Sequence, residues 1–141
     1  MTILIDTSYL YALYNPDDSY SPAAQRFAKR NTEKVLVPTI VLPEVSFLFD
    51  RDFGYRGVHR FLQEFSSSRI PMVNIEDEDL KRAAQISDQY RGSKFDLVDC
   101  FIMALAERLN ITRICTFDRR DFSIFKPKHT DHLDLLPVHI V

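Results

Sequence analysis

Short apolar runs alternate with longer amphipathic stretches along the whole chain. The short runs predict buried strands at 2–5, 34–38, 71–75 and 112–118, with a possible fifth at 137–141. The stretches between them repeat apolar residues at helical spacing, which predicts helices over 7–14, 22–31, 39–51, 58–65, 76–91 and 96–110. Alternating strands and helices form right-handed crossovers. The pattern therefore predicts an α/β fold whose central parallel sheet is covered by helices on both faces.

The pattern leaves the starts of two helices open. Either Thr7 or Ser8 can cap the first helix through its hydroxyl oxygen. Pro43 lies inside the helix predicted from residue 39, where a proline beyond the first turn removes a backbone hydrogen bond and crowds a carbonyl. That helix therefore either begins near Leu42 or is kinked.

Composition is typical of one ordinary globular domain, here spanning residues 1–141. Hydrophobic residues make up 45% of the chain and charged residues 27%, and the formal net charge of −2 argues against nucleic-acid binding by bulk positive charge. Cys100 and Cys115 lie in apolar runs, which predicts buried free thiols and a reducing, cytoplasmic compartment. No segment has the length and composition of a membrane span or a secretion signal.

Acidic residues follow the predicted strands at the end of the sheet where α/β proteins bind ligands. Asp6 ends the first strand, Asp118 ends the fourth, and Glu44 lies near the start of the helix after the second strand. We expect these three side chains to meet at one edge, although an aspartate after a strand is also a common turn residue or helix cap.

Asp96 and Asp99 reach the same edge only if the chain returns there before their helix begins. We expect the helix over 76–91 to run away from that edge. The following "RGSKF" spans roughly 17 Å when extended, which nearly returns the length of an eleven-residue helix at about 1.5 Å per residue. Asp96 is well explained as the N-cap of its helix. Asp99 precedes the apolar "CFIMALA", where an unpaired acid is costly, and this favours a functional role.

Carboxylates gathered without neighbouring cations repel one another and destabilise the fold. A divalent cation relieves that repulsion, and magnesium and manganese prefer carboxylate and water oxygens. No cysteine and histidine set has zinc-ligand spacing, and we expect His129 and His132 of "HTDH" to lie in a solvated loop. The acids therefore predict a magnesium or manganese site.

The segments "LIDTSYL", "PEVSFLF", "LVDCFIMALAERLNI" and "ICTFDRRDF", in this order and spacing, resemble the PIN domain family and its VapC-type toxin ribonucleases. The resemblance implies a three-layer α/β/α sandwich with an acidic pocket for magnesium or manganese. It favours Asp99 over Asp96 as the third acid of the family, and it leaves Asp121 as an alternative to Asp118 for the fourth. The implied catalytic metal ligands are Asp6, Glu44, Asp99 and Asp118.

The resemblance also implies groups that support this pocket. Hydroxyls that orient the ligands are expected on Thr7, Ser8 and Thr116. An RNA backbone also needs cations beside the pocket; Arg91, Lys94, Arg119 and Arg120 adjoin its acids in the sequence, although each equally suits a solvated surface. Unpaired bases can stack on exposed aromatic rings such as Tyr9 or Tyr11, although both rings also suit the core or a dimer interface.

The implied activity is metal-dependent cleavage of single-stranded or structured RNA by an activated water, which leaves a 5′-phosphate and a 3′-hydroxyl. Toxins of this family form homodimers and are blocked by a small antitoxin protein, and the apolar residues of 39–51 and 58–65 suit both interfaces. One alternative is a PIN nuclease of RNA processing outside toxin–antitoxin systems. Another is a non-catalytic metal-binding or signalling module, although a receiver domain would need paired acids after the first strand, where "IDTS" has one.

Overall fold

The computed structural model describes residues 1–141 and has a five-stranded sheet at its centre. The strands are β1 (Thr2–Ile5), β2 (Lys34–Pro38), β3 (Met72–Val73), β4 (Arg113–Cys115) and β5 (Asp134–Leu136). Their order is β3-β2-β1-β4-β5, and every neighbouring pair is parallel. Leu4 of β1 lies opposite Leu36 on one side and Ile114 on the other. The predicted parallel sheet is confirmed.

Seven helices flank this sheet: α1 (Thr7–Tyr14), α2 (Ser21–Arg30), α3 (Val41–Phe53), α4 (Tyr55–Ser68), α5 (Asp77–Gln89), α6 (Leu97–Arg108) and α7 (Arg120–Ile124). The first two crossovers move along the sheet in one direction and the crossover from β3 to β4 moves in the other. Right-handed connections therefore put α1 to α4 on one face and α5 and α6 on the other. This is the predicted α/β/α sandwich.

The core lies on both faces of β1. Ile3 and Leu4 are fully buried, and α6 is buried nearly all round, as its continuous apolar run predicts. Cys100 and Cys115 are both buried and free, which confirms the prediction made from their surroundings. No helix in the structure combines the length and apolar character needed to cross a membrane.

The last strand is not where the pattern placed it. Residues 137–141, "PVHIV", lie beyond β5, which is Asp134–Leu136. The Thr116 N–H donates to the Leu136 carbonyl at 2.9 Å, and the next residue, Pro137, has no N–H with which to continue a ladder. The prediction was wrong because a short apolar run does not show which segment pairs with β4, and that pairing is made by "DLL".

Backbone contacts show how α1 and α3 begin, which the sequence pattern left undetermined. Helix α3 begins at Val41, so Pro43 lies in the first turn, where its N–H would have had no partner within the helix. The first helix is capped by neither Thr7 nor Ser8. Asp6 is the cap, because its Oδ1 accepts the Tyr9 N–H at 2.9 Å.

Helix α4 begins before the predicted stretch 58–65, because Gly54 is both the C-cap of α3 and the N-cap of α4. Its φ of 72° belongs to the left-handed region that favours glycine, and it ends α3 and begins α4. At Gly57, in the first turn of α4, an added Cβ would meet the Phe53 Cβ at 2.6 Å. These two glycines therefore allow α3 and α4 to form a tight pair.

The return of the chain to α6 differs from the predicted one. The start of α5 pairs with the end of α6, through Arg108 Nε to Asp79 Oδ1 at 2.9 Å and Arg82 Nε to Glu107 Oε1 at 2.6 Å. The two helices are therefore antiparallel, and α5 itself carries the chain toward the start of α6. An extended "RGSKF" link was the wrong expectation; residues 90–96 form a compact turn, in which the Ser93 N–H donates to the carbonyl of Tyr90.

Candidate functional site

The candidate site lies at the carboxyl ends of β1 and β4, the two strands between which the direction of the chain reverses in the sheet. Helices leave such neighbouring strands toward opposite faces, which opens a crevice at this point in open α/β sheets. Asp6 directly follows β1, and Asp118 follows β4 by three residues. The topology therefore brings acids from opposite ends of the chain to one crevice.

Asp6 is the most deeply buried acid of this crevice, with 3% of its surface exposed. It accepts hydrogen bonds from the Tyr9 N–H at 2.9 Å and from Ser8 Oγ at 2.9 Å. Burial raises the pKa of its carboxyl to about 6, although hydrogen bonds from Thr116, Tyr9 and Ser8 oppose the shift. The charge of Asp118 raises this pKa further, which shows that the two acids interact.

Ser8 joins the ends of β1 and β4. While its hydroxyl donates to Asp6, its oxygen accepts the backbone N–H groups of Phe117 at 2.9 Å and Asp118 at 3.2 Å. Thr116 Oγ1 lies 3.4 Å from Ser8 Oγ and donates to the Asp118 carbonyl at 3.0 Å. These hydroxyls hold both the Asp6 carboxyl and the backbone that carries Asp118.

Asp99 and Asp121 form a second acidic pair in the same crevice. Burial is the main cause that raises the pKa of the half-buried Asp99 carboxyl to about 9. A hydrogen bond with Asp121 and the charge of Asp6 also contribute to this shift. A hydrogen bond between two carboxyl groups requires a proton on one of them. With its pKa raised above neutral pH, Asp99 is the protonated partner of this hydrogen bond in the metal-free protein.

Asp96 and Asp121 build the start of α6. Asp96 is the N-cap, as predicted, with its Oδ1 accepting the Val98 N–H at 2.8 Å. Its own N–H donates to Asp121 Oδ2 at 2.9 Å, and Arg120 Nη1 lies 2.7 Å from Asp121 Oδ1. Both oxygens of the buried Asp121 are thus occupied.

Glu44 and Asp118 complete the set of predicted acids. Thr7 Oγ1 donates to Glu44 Oε1 at 2.6 Å, which fixes the first turn of α3 against α1. Thr7 and Ser8 therefore have different partners, Glu44 and Asp6. Asp118 is exposed, and its carboxylate accepts no hydrogen bond from another residue of the chain.

The acidic crevice is open rather than a closed cage. No three His, Cys, Asp or Glu side chains are arranged so that they could hold a metal ion by themselves. The donors are nonetheless hard oxygens, and burial raises the pKa of Asp6 and of Asp99, with the charges of neighbouring acids adding to each shift. This chemistry fits magnesium or manganese, because magnesium keeps several waters and needs only one or two protein carboxylates.

The four cations predicted near the crevice differ in their surroundings. Arg119 donates to the carbonyls of Thr116 at 2.9 Å and Pro137 at 2.6 Å, so it ties the ends of β4 and β5 together. Arg120 is bound to Asp121. The exposed Arg91 pairs with Asp88, and the exposed Lys94 makes no hydrogen bond or ion pair with the chain.

Two other expectations about side chains have clear outcomes. Tyr9 and Tyr11 are buried, at 2% and 7% exposure, so they are core residues, which confirms the interpretation preferred over exposed stacking rings. His129 Nε2 bonds to the Ile111 carbonyl at 2.7 Å, while His132 pairs with Asp134, so the two histidines form no common site.

Sequence reasoning missed Tyr20, whose ring stacks on Phe117 beside Asp118. The only signal for it was an aromatic residue directly after the turn "NPDDS", where no apolar repeat requires one. Asp121 was identified, but its hydrogen bonds to the start of α6 were not.

An open parallel sheet with an acidic crevice at its switch point defines a class of ligand-binding α/β domains. Within this class, the family model of the PIN domain matches residues 3–126, and the chain belongs to the PIN domain family. The resemblance seen in the sequence is thereby confirmed.

The relatives of the chain include Ribonuclease VapC26 of Mycobacterium tuberculosis, which is 24% identical over 96% of this chain and 100% of its own. The crystal structure of VapC20 from the same organism, a Sarcin-Ricin loop cleaving toxin, has a TM-score of 0.76 at 21% identity, over 84% of this chain and 91% of that one. VapBC2 of Rickettsia felis, bound to promoter DNA, has a TM-score of 0.69 at 17% identity, over 96% and 98%. These structures share the fold.

Proposed function

We propose that the protein is a magnesium- or manganese-dependent endoribonuclease, and the toxin of a type II toxin–antitoxin pair. The observation that carries this proposal is the meeting of Asp6 and Asp99 in one crevice with raised pKa values, because such acids need a cation to be ionised together. The names of the relatives, a ribonuclease and a toxin that cleaves the Sarcin-Ricin loop, support RNA as the substrate.

In this proposal the metal is held, directly or through water, by Asp6, Glu44, Asp99 and Asp118. Asp118 is preferred over Asp121 because its carboxylate is exposed and free of hydrogen bonds, whereas Asp121 already accepts from Asp96 and Arg120. Asp121 then positions Asp99. Thr7, Ser8 and Thr116 orient the ligands through the hydrogen bonds described above.

The bound ion would supply an acidified water and neutralise charge on the phosphate. Ser8 keeps the Asp6 carboxyl aimed at the crevice, and Asp121 does the same for Asp99. Hydrolysis by water does not use the ribose 2′-hydroxyl, so the products carry a 5′-phosphate and a 3′-hydroxyl. Lys94, Arg91 and Arg120 are the proposed contacts to the backbone of single-stranded or structured RNA, and Arg119 acts mainly by holding the loop after β4.

Apolar side chains exposed on α3 and α4 are the proposed surface for protein partners. Phe47 is 65% exposed, Phe53 45% and Leu62 48%. Similar folds occur in complexes with antitoxins, including a toxin–antitoxin complex from Klebsiella pneumoniae at 18% identity and a TM-score of 0.68, over 99% of both chains. We propose an antitoxin and a second copy of the chain as the partners of this surface.

The direct test incubates the purified protein with single-stranded RNA in magnesium, manganese or chelator. We expect cleavage only with metal, and a loss of at least 100-fold in Asp6→Asn and Asp99→Asn, because each removes a charge that the ion needs. Asp131→Asn, which changes an exposed turn acid, is the matched control. Cleavage in chelator, or full activity in both site variants, would refute the nuclease assignment.

A second experiment addresses the fourth acid and the toxin role. Asp118→Asn is expected to abolish cleavage, whereas Asp121→Asn lowers it through Asp99; the reverse ranking would exchange their roles. Expression in a bacterial host should arrest growth, and Asp99→Asn should relieve the arrest. An active enzyme that leaves growth unaffected would favour the alternative, a PIN nuclease of RNA processing.

A further inference from the structure

Three stacked aromatic rings lead from the core to the rim of the acidic crevice. The rings of Tyr9 and Phe117 are 5.7 Å apart and nearly parallel, at 18°. Phe117 and Tyr20 stack more closely, with centroids 4.5 Å apart and an interplanar angle of 6°. Tyr9 is 2% exposed but Tyr20 is 38% exposed, so the stack ends with a ring at the protein surface.

The middle ring of this stack belongs to the scaffold of the crevice. The Phe117 N–H donates to Ser8 Oγ at 2.9 Å, and the same hydroxyl donates to Asp6. Phe117 also directly precedes Asp118, whose Cα is therefore about 3.8 Å from that of Phe117. A base stacked on Tyr20 would consequently border the same groove as Asp118.

Tyr20 is held in place by its own backbone. Its N–H donates to Asp18 Oδ1 at 2.8 Å, and its carbonyl accepts the Ala24 N–H of α2 at 3.0 Å. Phe117 fixes one face of the ring. A ligand that stacks on Tyr20 therefore meets a ring that has already lost its freedom, so the entropic cost of binding is low.

Tyr20 and Asp118 border one open groove with a volume of about 390 Å³. Ser8, Asp118, Tyr20 and Phe117 line it, together with Arg51 from α3. The groove thus combines an aromatic surface, a guanidinium and the edge of the acidic crevice. Arg51 already pairs with Asp52 at 2.9 Å, so it is the aromatic surface that suits an unpaired nucleotide, whose base can stack on the ring.

We infer that Tyr20 is a stacking platform for an unpaired base of the RNA next to the scissile phosphate. The inference rests on the proposed function and adds a positioning residue to it. Every base has a π face, so the platform selects unpaired nucleotides over duplex RNA rather than one base over another.

The absence of tryptophan from the chain permits a direct probe. Tyr20→Trp places a single indole in the groove, and Tyr55→Trp, at a position 80% exposed on α4, is the control. The ligand is a ribo-oligonucleotide of ten adenines, with calcium in place of magnesium because calcium also binds carboxylate oxygens. We expect saturable quenching of indole fluorescence for Tyr20→Trp alone, and none with a ten-base-pair RNA duplex.

Two outcomes of this probe count against the inference in different ways. Oligonucleotide binding seen by fluorescence anisotropy, without quenching at Tyr20→Trp, overturns the platform and leaves the proposed function intact. No binding by any of the proteins overturns the substrate of the proposed function as well.

Substitution of the ring provides the matching kinetic test. Tyr20→Phe keeps the stacking face and should change KM for single-stranded RNA less than twofold. Tyr20→Leu should raise KM about 5- to 100-fold, the range of base–aromatic stacking, with kcat little changed. Tyr55→Leu should leave both constants unchanged. Equal effects of Tyr20→Phe and Tyr20→Leu would overturn the inference, because a stacking role depends on the ring and not on the hydroxyl.

Discussion

At the scale of single residues, Asp6 combines a structural role with the chemical role proposed for it. Its carboxyl caps α1 through the Tyr9 N–H and also faces the charge of Asp118 and Asp99. A helix cap is therefore not an alternative to a functional role here. The cap holds the carboxyl in one orientation, which a metal ligand requires.

Replacement of Ser8 by alanine tests this support. The change removes the hydroxyl that serves Asp6 and the two N–H groups after β4, so we expect the free energy of unfolding to fall by about 1–3 kcal/mol. RNA cleavage should fall with it. Urea unfolding at pH 7 measures the first effect. Ser67→Ala is the control, since Ser67 is exposed and forms no side-chain hydrogen bond; an equal loss in both variants would contradict the role of Ser8.

The pKa of Asp99 predicts a pH dependence for the metal-free protein. A carboxyl with a pKa of about 9 in the folded state and 3.8 in the unfolded chain stabilises the fold most at low pH. This contribution is lost as the pH rises from about 4 to 9, because the unfolded chain releases the proton first. Asp99→Asn should therefore exceed the original protein in stability at pH 8, and the difference should vanish near pH 4.

Unfolding by urea in chelator at several pH values measures this difference. Asp131→Asn should follow the original protein throughout, because Asp131 is exposed. A constant difference between Asp99→Asn and the original protein across this range would show that Asp99 is ionised in the folded state.

At the scale of elements, the antiparallel pair α5–α6 determines whether Asp99 reaches the crevice. Asp79 has two roles in that pair: its carboxylate accepts from Arg108 and completes a capping box with Glu76 at the start of α5. With its side chain 1% exposed and that of Arg108 19% exposed, the pair is largely shielded from solvent. It fixes the register of α6 and hence the position of Asp99.

Replacement of Asp79 should therefore cost more than replacement of its neighbours. Asp79→Ala removes an ion pair and a helix cap, and we expect a loss of about 2–4 kcal/mol in the free energy of unfolding. Asp77→Ala in the same first turn is exposed and should cost less than about 1 kcal/mol, the usual contribution of a helix dipole. Thermal unfolding compares the two, and similar losses would refute the importance of the α5–α6 contact.

At the scale of the whole molecule, the strand order brings distant acids together without any neighbouring excess of positive charge. A cation that binds the folded chain alone should stabilise it, by about 2.7 kcal/mol at 100 times its Kd. We expect manganese to raise the melting temperature of the original protein and of Asp131→Asn. The rise should be absent in Asp6→Asn and Asp99→Asn, and an unchanged rise there would place the ion elsewhere.

The sequence by itself determined the fold class, both buried thiols and the position of Asp6 and Asp118 after their strands. These features depend on local information, namely apolar periodicity and the position of a residue after a strand. They are predicted correctly even when the bounds of an element are wrong by a few residues. The same information placed the last strand at "PVHIV", because a short apolar run does not show which segment pairs with β4.

Tertiary structure alone decided the direction of α5, the capping of α1 by Asp6 and the partners of Thr7 and Ser8. It also buried Tyr9 and Tyr11 and left Tyr20 at the surface on Phe117. Each of these depends on contacts between residues far apart in the chain, such as Arg108 with Asp79 or Ser8 with Phe117. Such contacts are set by how helices pack on the twisted sheet, which no local pattern of residues records.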